Sequence, residues 1–176
     1  YQQEPHRPMP PLPSAQDRAP VFVGDVKPVD AANYEASGET VVLNCGKRDG
    51  DIEYLKQGWD FALKRGYLYE GFPTEVNHCW ADKESLEFDI VCPKRASGTL
   101  RLFIIDGDNF QGGRKESVTV AGRLVGNYEA FQKGQWLDIP VAATDTADGR
   151  FPVVIKNTRQ DSNAVVSLIR FVEKKG

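Results

Sequence analysis

Residues 86–90 have the sequence Leu86-Glu87-Phe88-Asp89-Ile90, which places an apolar side chain at every second position. This period of two is the geometry of a β-strand with one dry face and one wet face. The same alternation recurs at residues 118–120 and 137–141. Short strands of this kind, separated by turns, are typical of an antiparallel sandwich. The C-terminal half of the chain therefore predicts an all-β fold.

Turn residues separate the alternating segments at short, regular intervals. Ala121-Gly122, for example, fits a tight hairpin turn in which glycine supplies a positive φ. The candidate strands lie at about 84–92, 98–106, 115–121, 124–128, 136–142, 151–157 and 164–173. We expect a two-sheet antiparallel jelly-roll sandwich of about eight strands.

The N-terminal half is less regular. Residues 21–27 and 40–45 are candidate first strands, and a loop over 28–38 joins them. A short helix is predicted over residues 52–65, with Asp51 as its N-cap, because apolar residues recur at spacings of three and four. These residues are Ile52, Leu55, Trp59, Ala62 and Leu63. Gly58 disfavours a helix, and an irregular aromatic loop is the alternative.

Residues 1–20 differ in composition from the rest, since they hold six of the eleven prolines. Such a segment is expected to form an extended polyproline arm. Its PxxP spacings are weak signals for an SH3-type ligand, and a stiff arm or linker is the favoured interpretation. We therefore divide the chain into an arm, 1–20, and a β-sandwich domain, 21–176. The arm is expected to contribute little to folding and to contact a partner.

Bulk composition excludes some classes of function. The chain has 176 residues, of which 40% are hydrophobic and 27% charged, as in a globular domain. Net charge is −3 without a basic stripe, which argues against a nucleic-acid surface. The longest aliphatic or aromatic run, residues 102–105, is far too short to span a bilayer.

Three cysteines, Cys45, Cys79 and Cys92, leave the redox compartment open. An odd number permits one disulfide and one free thiol, or three buried thiols. Cys92 continues the apolar alternation of residues 86–90 and is expected to face the core.

The search for catalytic and metal motifs finds little. The chain contains no Gly-x-Ser-x-Gly elbow and no glycine-rich phosphate loop. His78-Cys79 has no second Cys or His at zinc-ligand spacing. Residues 106–112 begin like a calcium loop, but Phe110 and Gln111 occupy positions that need an oxygen ligand and a glycine. Asp49 and Asp51 are weak candidates for a structural Ca²⁺, and no other cofactor is predicted.

Clustered aromatic residues are the strongest functional signal. Trp59, Tyr67, Tyr69, Phe72 and Trp80 fall within 22 residues, largely outside the alternating strands. Exposed aromatic rings stack on sugars or anchor protein interfaces, although any single ring is more often a core residue.

If the chain binds a glycan, Trp80 and Tyr69 are the first candidates for stacking platforms. Tyr67 and Trp59 follow, and the helical spacing of Trp59 favours burial. Arg114 lies at a glycine-rich loop and is a candidate for bidentate hydrogen bonds to hydroxyls or to a uronate. Trp136 begins a strand and is interpreted as core.

The strand sequences resemble those of galactose-binding-like jelly rolls. The similarity lies in residues 100–106, the hairpin of residues 113–126, the Gly134-Gln135-Trp136 strand and the final strand, 163–171. It covers residues 84–173, and Ala121 departs from the Asn that is common in the hairpin turn. The family includes many carbohydrate-binding modules of secreted polysaccharide-degrading enzymes. Some members carry a structural calcium near the start of the sandwich, which would concern Asp49 or Asp51.

The resemblance implies a non-catalytic carbohydrate-binding module of an exported protein that binds glycan through aromatic side chains. The alternative is a structural accessory subunit of an extracytoplasmic or membrane-associated assembly, anchored by residues 1–20. A jelly-roll enzyme ranks third, because the His, Tyr and Arg signature of such enzymes is missing. Secretion or periplasmic export is inferred from the resemblance and from a chain that starts at Tyr1 without an initiator Met.

Overall fold

The computed structural model describes residues 33–45, 52–74 and 76–175. The proline-rich arm, 1–20, and the candidate strand over residues 21–27 lie outside these described residues. Asp49 and Asp51, the candidate calcium ligands, lie outside them as well.

The described residues form thirteen strands and two short helical turns. One helical turn spans residues 33–36, and a 3-10 turn spans Phe110–Gly112. The strands are β1 (Glu39–Asn44), β2 (Ile52–Leu55), β3 (Asp60–Arg65), β4 (Tyr67–Glu70), β5 (His78–Asp82), β6 (Ser85–Val91), β7 (Gly98–Ile104), β8 (Lys115–Val120), β9 (Arg123–Glu129), β10 (Gln135–Val141), β11 (Arg150–Asn157), β12 (Ala164–Val166) and β13 (Leu168–Glu173). No helix in the described ranges has the length and apolar character needed to cross a bilayer.

Two five-stranded sheets make up most of the domain. The first sheet has the order β10-β7-β13-β1-β2, and the second has the order β3-β6-β11-β8-β9. All neighbouring strands are antiparallel. The predicted all-β jelly-roll sandwich is confirmed, with more and shorter strands than the sequence indicated.

The two sheets pack face to face around an aromatic and aliphatic core. Phe171 of the first sheet lies 4.8 Å from Trp59 and 6.0 Å from Phe151, measured between ring centroids. The alternating residues that predicted the fold, Leu86 and Phe88 among them, are fully buried. Each such side chain contributes roughly 1.5–3 kcal/mol relative to an exposed position.

A third sheet, with the order β12-β5-β4, packs against both of the larger sheets. Its strand β12 contacts β7 of the first sheet and β6, β8 and β11 of the second. The predicted final strand, 164–173, is therefore two strands, β12 and β13. Ser167 separates them, and the chain passes from the third sheet to the first at that residue.

The predicted helix over residues 52–65 is wrong. These residues form β2 and β3, joined by a turn in which Gly58 has a φ of +91°. A positive φ is incompatible with a right-handed helix and is readily adopted by glycine. The spacing of apolar residues arises because Leu55 and Leu63 enter the core from different strands.

Two smaller predictions are confirmed. Ala121 and Gly122 form the turn between β8 and β9, with φ of +50° and +80°. Cys45, Cys79 and Cys92 are all buried, and Cys92 faces the core as predicted.

Candidate functional site

The five residues predicted from the sequence to bind a glycan are all buried. Trp80, Tyr69 and Arg114 are 0% exposed, Trp59 is 5% exposed and Tyr67 is 6% exposed. The expectation that these aromatic residues lie largely outside strands is wrong, because Tyr67 and Tyr69 belong to β4 and Trp80 belongs to β5 of the third sheet. Rings enclosed in this way have no free face on which a sugar could stack.

Arg114, Tyr69 and Tyr67 nevertheless belong to one buried hydrogen-bonded group, which is centred on the Arg114 guanidinium. The Arg114 side chain donates hydrogen bonds to Asp106 and Asp108, and its Nε donates to Asn163 at 2.7 Å. The Tyr69 hydroxyl donates to Asp108 at 3.1 Å, and the Asn163 amide donates to the Tyr67 hydroxyl at 3.1 Å. We call these six residues the Arg114 cluster.

The Arg114 cluster anchors the loop of residues 106–113. The Arg114 backbone N–H donates to Asp106 at 2.8 Å, and the guanidinium lies 5.0 Å from the ring centroid of Phe110. Within this loop Asn109 and Gln111 adopt left-handed φ values of 47° and 54°. Non-glycine residues in this region are strained, and surrounding contacts must hold them there. Arg114 therefore acts as a buried clamp on the loop.

Glu116 lies buried next to this cluster, and one of its two carboxyl oxygens has no hydrogen-bond partner among the described residues. Its Oε1 accepts a hydrogen bond from the Val165 backbone N–H at 2.8 Å, whereas its Oε2 has no partner among the described residues. Burial raises the pKa of Glu116 to about 8. The raised pKa favours the protonated form of this carboxyl at neutral pH. Burial likewise raises the pKa of Tyr67, to about 12.

The calcium-like loop of residues 106–112 and His78 both pair with other side chains of the protein. The Asp106 and Asp108 carboxylates accept hydrogen bonds from Arg114, which occupies the space that a cation would need. His78 pairs with Glu70 at 2.8 Å. The described ranges contain no group of three or more His, Cys, Asp or Glu side chains placed to hold a metal ion.

The exposed tryptophan is Trp136, on β10, with 37% of its surface accessible. Its neighbours Leu137, Ile139 and Val141 face the core, so strand alternation turns Trp136 outward. The interpretation of Trp136 as a core residue is wrong. The signal was present in the sequence, because the alternation that buries Leu137 assigns Trp136 to the opposite face.

Trp136 belongs to a mixed aromatic and charged surface on the outer face of the first sheet. In one row across the strands, Trp136, Phe103 and Leu168 are neighbours. The next row on the same face consists of Asp138, Arg101 and Arg170. We call these six residues the Trp136 face.

Both arginines of the Trp136 face lie near the indole ring. The guanidinium carbon of Arg101 lies 4.8 Å from the Trp136 ring centroid, and that of Arg170 lies 6.0 Å from it. Arg101 donates to Asp138 at 2.8 Å, and Phe103 backs the indole at 5.1 Å between ring centroids. This arrangement presents an apolar ring beside hydrogen-bond donors and an acceptor, which is the chemistry that sugars require.

Two further exposed apolar side chains lie on strand β9. Leu124 is 62% exposed and Val125 is 37% exposed. Strand β9 is an edge strand of the second sheet, so one side of its backbone has no neighbouring strand in the described part of the chain. Exposed apolar side chains on an edge strand are typical of a protein contact.

No protein-family profile and no curated protein matches this sequence. Solved structures do match. A β-glucuronidase from Bacteroides uniformis aligns with 82% of this chain at 10% identity and a TM-score of 0.57. The ANX1 ectodomain from Arabidopsis thaliana aligns with 78% of this chain at 10% identity and a TM-score of 0.56. A family 35 carbohydrate binding module from an environmental isolate aligns with 65% of this chain at 13% identity, with a TM-score of 0.43.

The chain spans 19% of the β-glucuronidase, 49% of the ANX1 ectodomain and 90% of the carbohydrate binding module. At such low identity the likeness establishes the fold and leaves activity open. The resemblance to galactose-binding-like jelly rolls is therefore confirmed for the architecture of the domain.

Proposed function

We propose that this domain is a non-catalytic carbohydrate-binding module and that the Trp136 face is its glycan-binding surface. The observation that carries the proposal is the position of Trp136, a large aromatic ring that is partly exposed on the outer face of the first sheet. Phe103 supports the indole from the neighbouring strand, so that the ring is fixed before a ligand arrives. A preorganised platform loses little conformational entropy on binding.

The polar neighbours of Trp136 supply the other half of sugar recognition. Arg101 and Arg170 offer N–H donors, and the Asp138 carboxylate, which is 58% exposed, offers acceptor oxygens. Stacking on the indole would orient a pyranose ring, and these groups would select among its hydroxyls. An exported location agrees with this role and is part of the proposal.

We assign no catalytic role to the carboxylates of the Arg114 cluster. The side chains of Asp106 and Asp108 are 0% and 3% exposed and both are paired with Arg114. A general acid or base needs to reach a substrate proton, and these groups are enclosed. The β-glucuronidase match extends over one fifth of that enzyme, which is compatible with an accessory domain.

A glycan array followed by affinity electrophoresis tests the proposal. The wild-type domain should bind at least one oligosaccharide class, and Trp136→Ala should abolish that binding. Leu124→Ala is the matched control, because it also removes an exposed apolar side chain but lies on the second sheet. Retention of glycan by Trp136→Ala would place the site elsewhere, and a protein that binds no glycan at all would refute the proposal.

The second candidate function is that of a structural subunit or docking domain. Its support is the exposed pair Leu124 and Val125 on the β9 edge. A Leu124→Asp variant should lose a protein partner in a pull-down while retaining glycan binding.

We also propose that the chain divides into an arm, 1–20, and a domain, 21–176, and that the arm contacts the protein partner. Deleting residues 1–18 should leave the melting temperature nearly unchanged and weaken any assembly.

A further inference from the structure

We infer that the Trp136 face selects glycans that carry an anionic group, a carboxylate or a sulfate ester. This inference rests on the proposed glycan-binding role and specifies the ligand class for the same surface. Its basis is the placement of two directly opposed arginines beside an exposed indole.

Arg101 and Arg170 lie directly opposite each other on the neighbouring strands β7 and β13. Like charges in directly opposed positions of an antiparallel pair are destabilising. The guanidinium carbon of Arg101 lies 4.8 Å from the Trp136 ring centroid, and that of Arg170 lies between two rings, 6.0 Å from the Trp136 centroid and 5.9 Å from the Tyr34 centroid. The fold therefore holds two guanidinium groups near one indole, each with one acidic partner, and an anionic ligand would add charge-assisted hydrogen bonds to their remaining donors.

Each guanidinium has N–H donors that make no hydrogen bond to the described residues. The Nε of Arg101 donates to Asp138 at 2.8 Å, and the Nη1 of Arg170 donates to Glu39 at 3.2 Å. The Nη atoms of Arg101, and the Nε and Nη2 of Arg170, make no hydrogen bond within the described part of the chain. Both side chains are about one third exposed, at 34% and 32%.

The two acidic partners lie at the flanks of the arginine pair. Asp138 faces Arg101 from β10, and Glu39 faces Arg170 from β1, where only 9% of the Glu39 side chain is exposed. These ion pairs hold the arginine side chains in place and use only one nitrogen of each guanidinium group. A planar carboxylate or a sulfate accepts several N–H bonds from paired guanidinium groups, which a neutral hydroxyl does not.

Matched pairs of oligosaccharides test the inference by isothermal titration calorimetry on the intact protein. The first pair is tri-galacturonic acid and its methyl ester, and the second is a sulfated galactan tetrasaccharide and its desulfated form. In at least one pair the anionic member should bind about tenfold or more tightly than the neutral one, a factor expected for one or two charge-assisted hydrogen bonds. The pair that shows the difference identifies the anion.

Arg101→Gln and Arg170→Gln should each reduce this preference, and Trp136→Ala should abolish binding. Arg65→Gln is the matched control, because Arg65 is also an exposed arginine in an ion pair but lies on β3 of the second sheet. Melting temperatures of all variants check that the proteins are folded. Raising the salt concentration should also weaken the preference, since charge pairs at the surface are screened.

The failures are distinguishable. If Trp136-dependent binding is equal for both members of each pair, or is found only for neutral glycans on the array, the anionic inference is overturned and the glycan-binding role stands. If no glycan binds, on the array or in calorimetry, both are overturned.

Discussion

The Arg114 cluster and the Trp136 face use the same residue types in opposite settings. Each places arginine beside aromatic rings and carboxylates, yet Arg114 is 0% exposed while Arg101 and Arg170 remain about one third exposed. In the buried cluster every partner is protein, and the cation fixes a strained loop. On the Trp136 face, some N–H donors of Arg101 and Arg170 make no hydrogen bond to the described residues. The comparison teaches that solvent access, rather than residue type, separates a structural arginine from a candidate ligand-binding arginine.

Removal of the buried cation should have the largest effect. Arg114→Ala leaves Asp106 and Asp108 as uncompensated buried carboxylates, and we expect a loss of about 3–5 kcal/mol in the free energy of unfolding. Urea denaturation followed by circular dichroism measures it. Arg101→Gln is the paired control, which should cost no more than about 1 kcal/mol because its ion pair with Asp138 is exposed. Equal losses for the two variants would contradict the distinction between the regions.

Trp80 allows the same comparison among tryptophans. Its ring is fully buried and lies 5.8 Å from both Phe61 and Phe88, between centroids. Trp80→Ala should therefore cost about 3–5 kcal/mol by leaving a cavity in the core. The same urea titration measures this loss, and Trp80→Phe should recover part of it. A stable Trp80→Ala protein that has lost glycan binding would restore the original sequence-based assignment of the site.

Glu116 makes the buried region sensitive to pH. Its folded-state pKa of about 8 lies above the ordinary value of 4.5, so the folded protein retains the proton between these values. The free energy of unfolding should consequently fall as pH rises from about 5 to about 8, by up to about 1.4 kcal/mol per pH unit.

Glu116→Gln should remove this fall and make the protein more stable than wild type at pH 9. Urea midpoints recorded across the pH range measure the difference. Glu129→Gln, at an exposed position on β9, is the control and should keep the wild-type slope. Parallel profiles for Glu116→Gln and the wild type would show that the carboxyl is charged in the folded protein.

The smallest effect is expected at Trp136 itself. Trp136→Ala should change the free energy of unfolding by less than about 1 kcal/mol, as is usual for an exposed side chain. The variant should lose glycan binding, whereas its melting temperature should stay close to that of the wild type. A large drop in stability would mean that Trp136 contributes more to the fold than to a ligand surface.

The strands of the C-terminal half were predictable because each carries its own alternation. Leu86, Phe88 and Ile90 reveal the inward face of β6 without reference to any other part of the chain. Residues 52–65 lack such local consistency, since a turn at Gly58 divides them and their apolar spacing mimics a helix. Local pattern fails where two short strands meet at a turn.

The site was harder to predict because burial depends on distant residues. Trp80 and Tyr69 resemble loop aromatics until β12 pairs with β5, and β12 comes from residues 164–166. Nothing in the sequence around Trp80 or Tyr69 indicates that β12 will pair with β5. Trp136 is different, because its outward direction followed from the alternation at Leu137 and Ile139 and was discounted only because it begins a strand.

The position of β13 has a consequence for how the domain is made. This strand lies in the middle of the first sheet, between β7 and β1, although it is the last strand of the described chain. During synthesis, β1 with β2 and β7 with β10 exist first as separate pairs whose inner edges are open. Open edges recruit other chains. A chain that ends before residue 168 should therefore leave these two strand pairs unjoined and prone to aggregate, because β13 is the strand that joins them into one sheet.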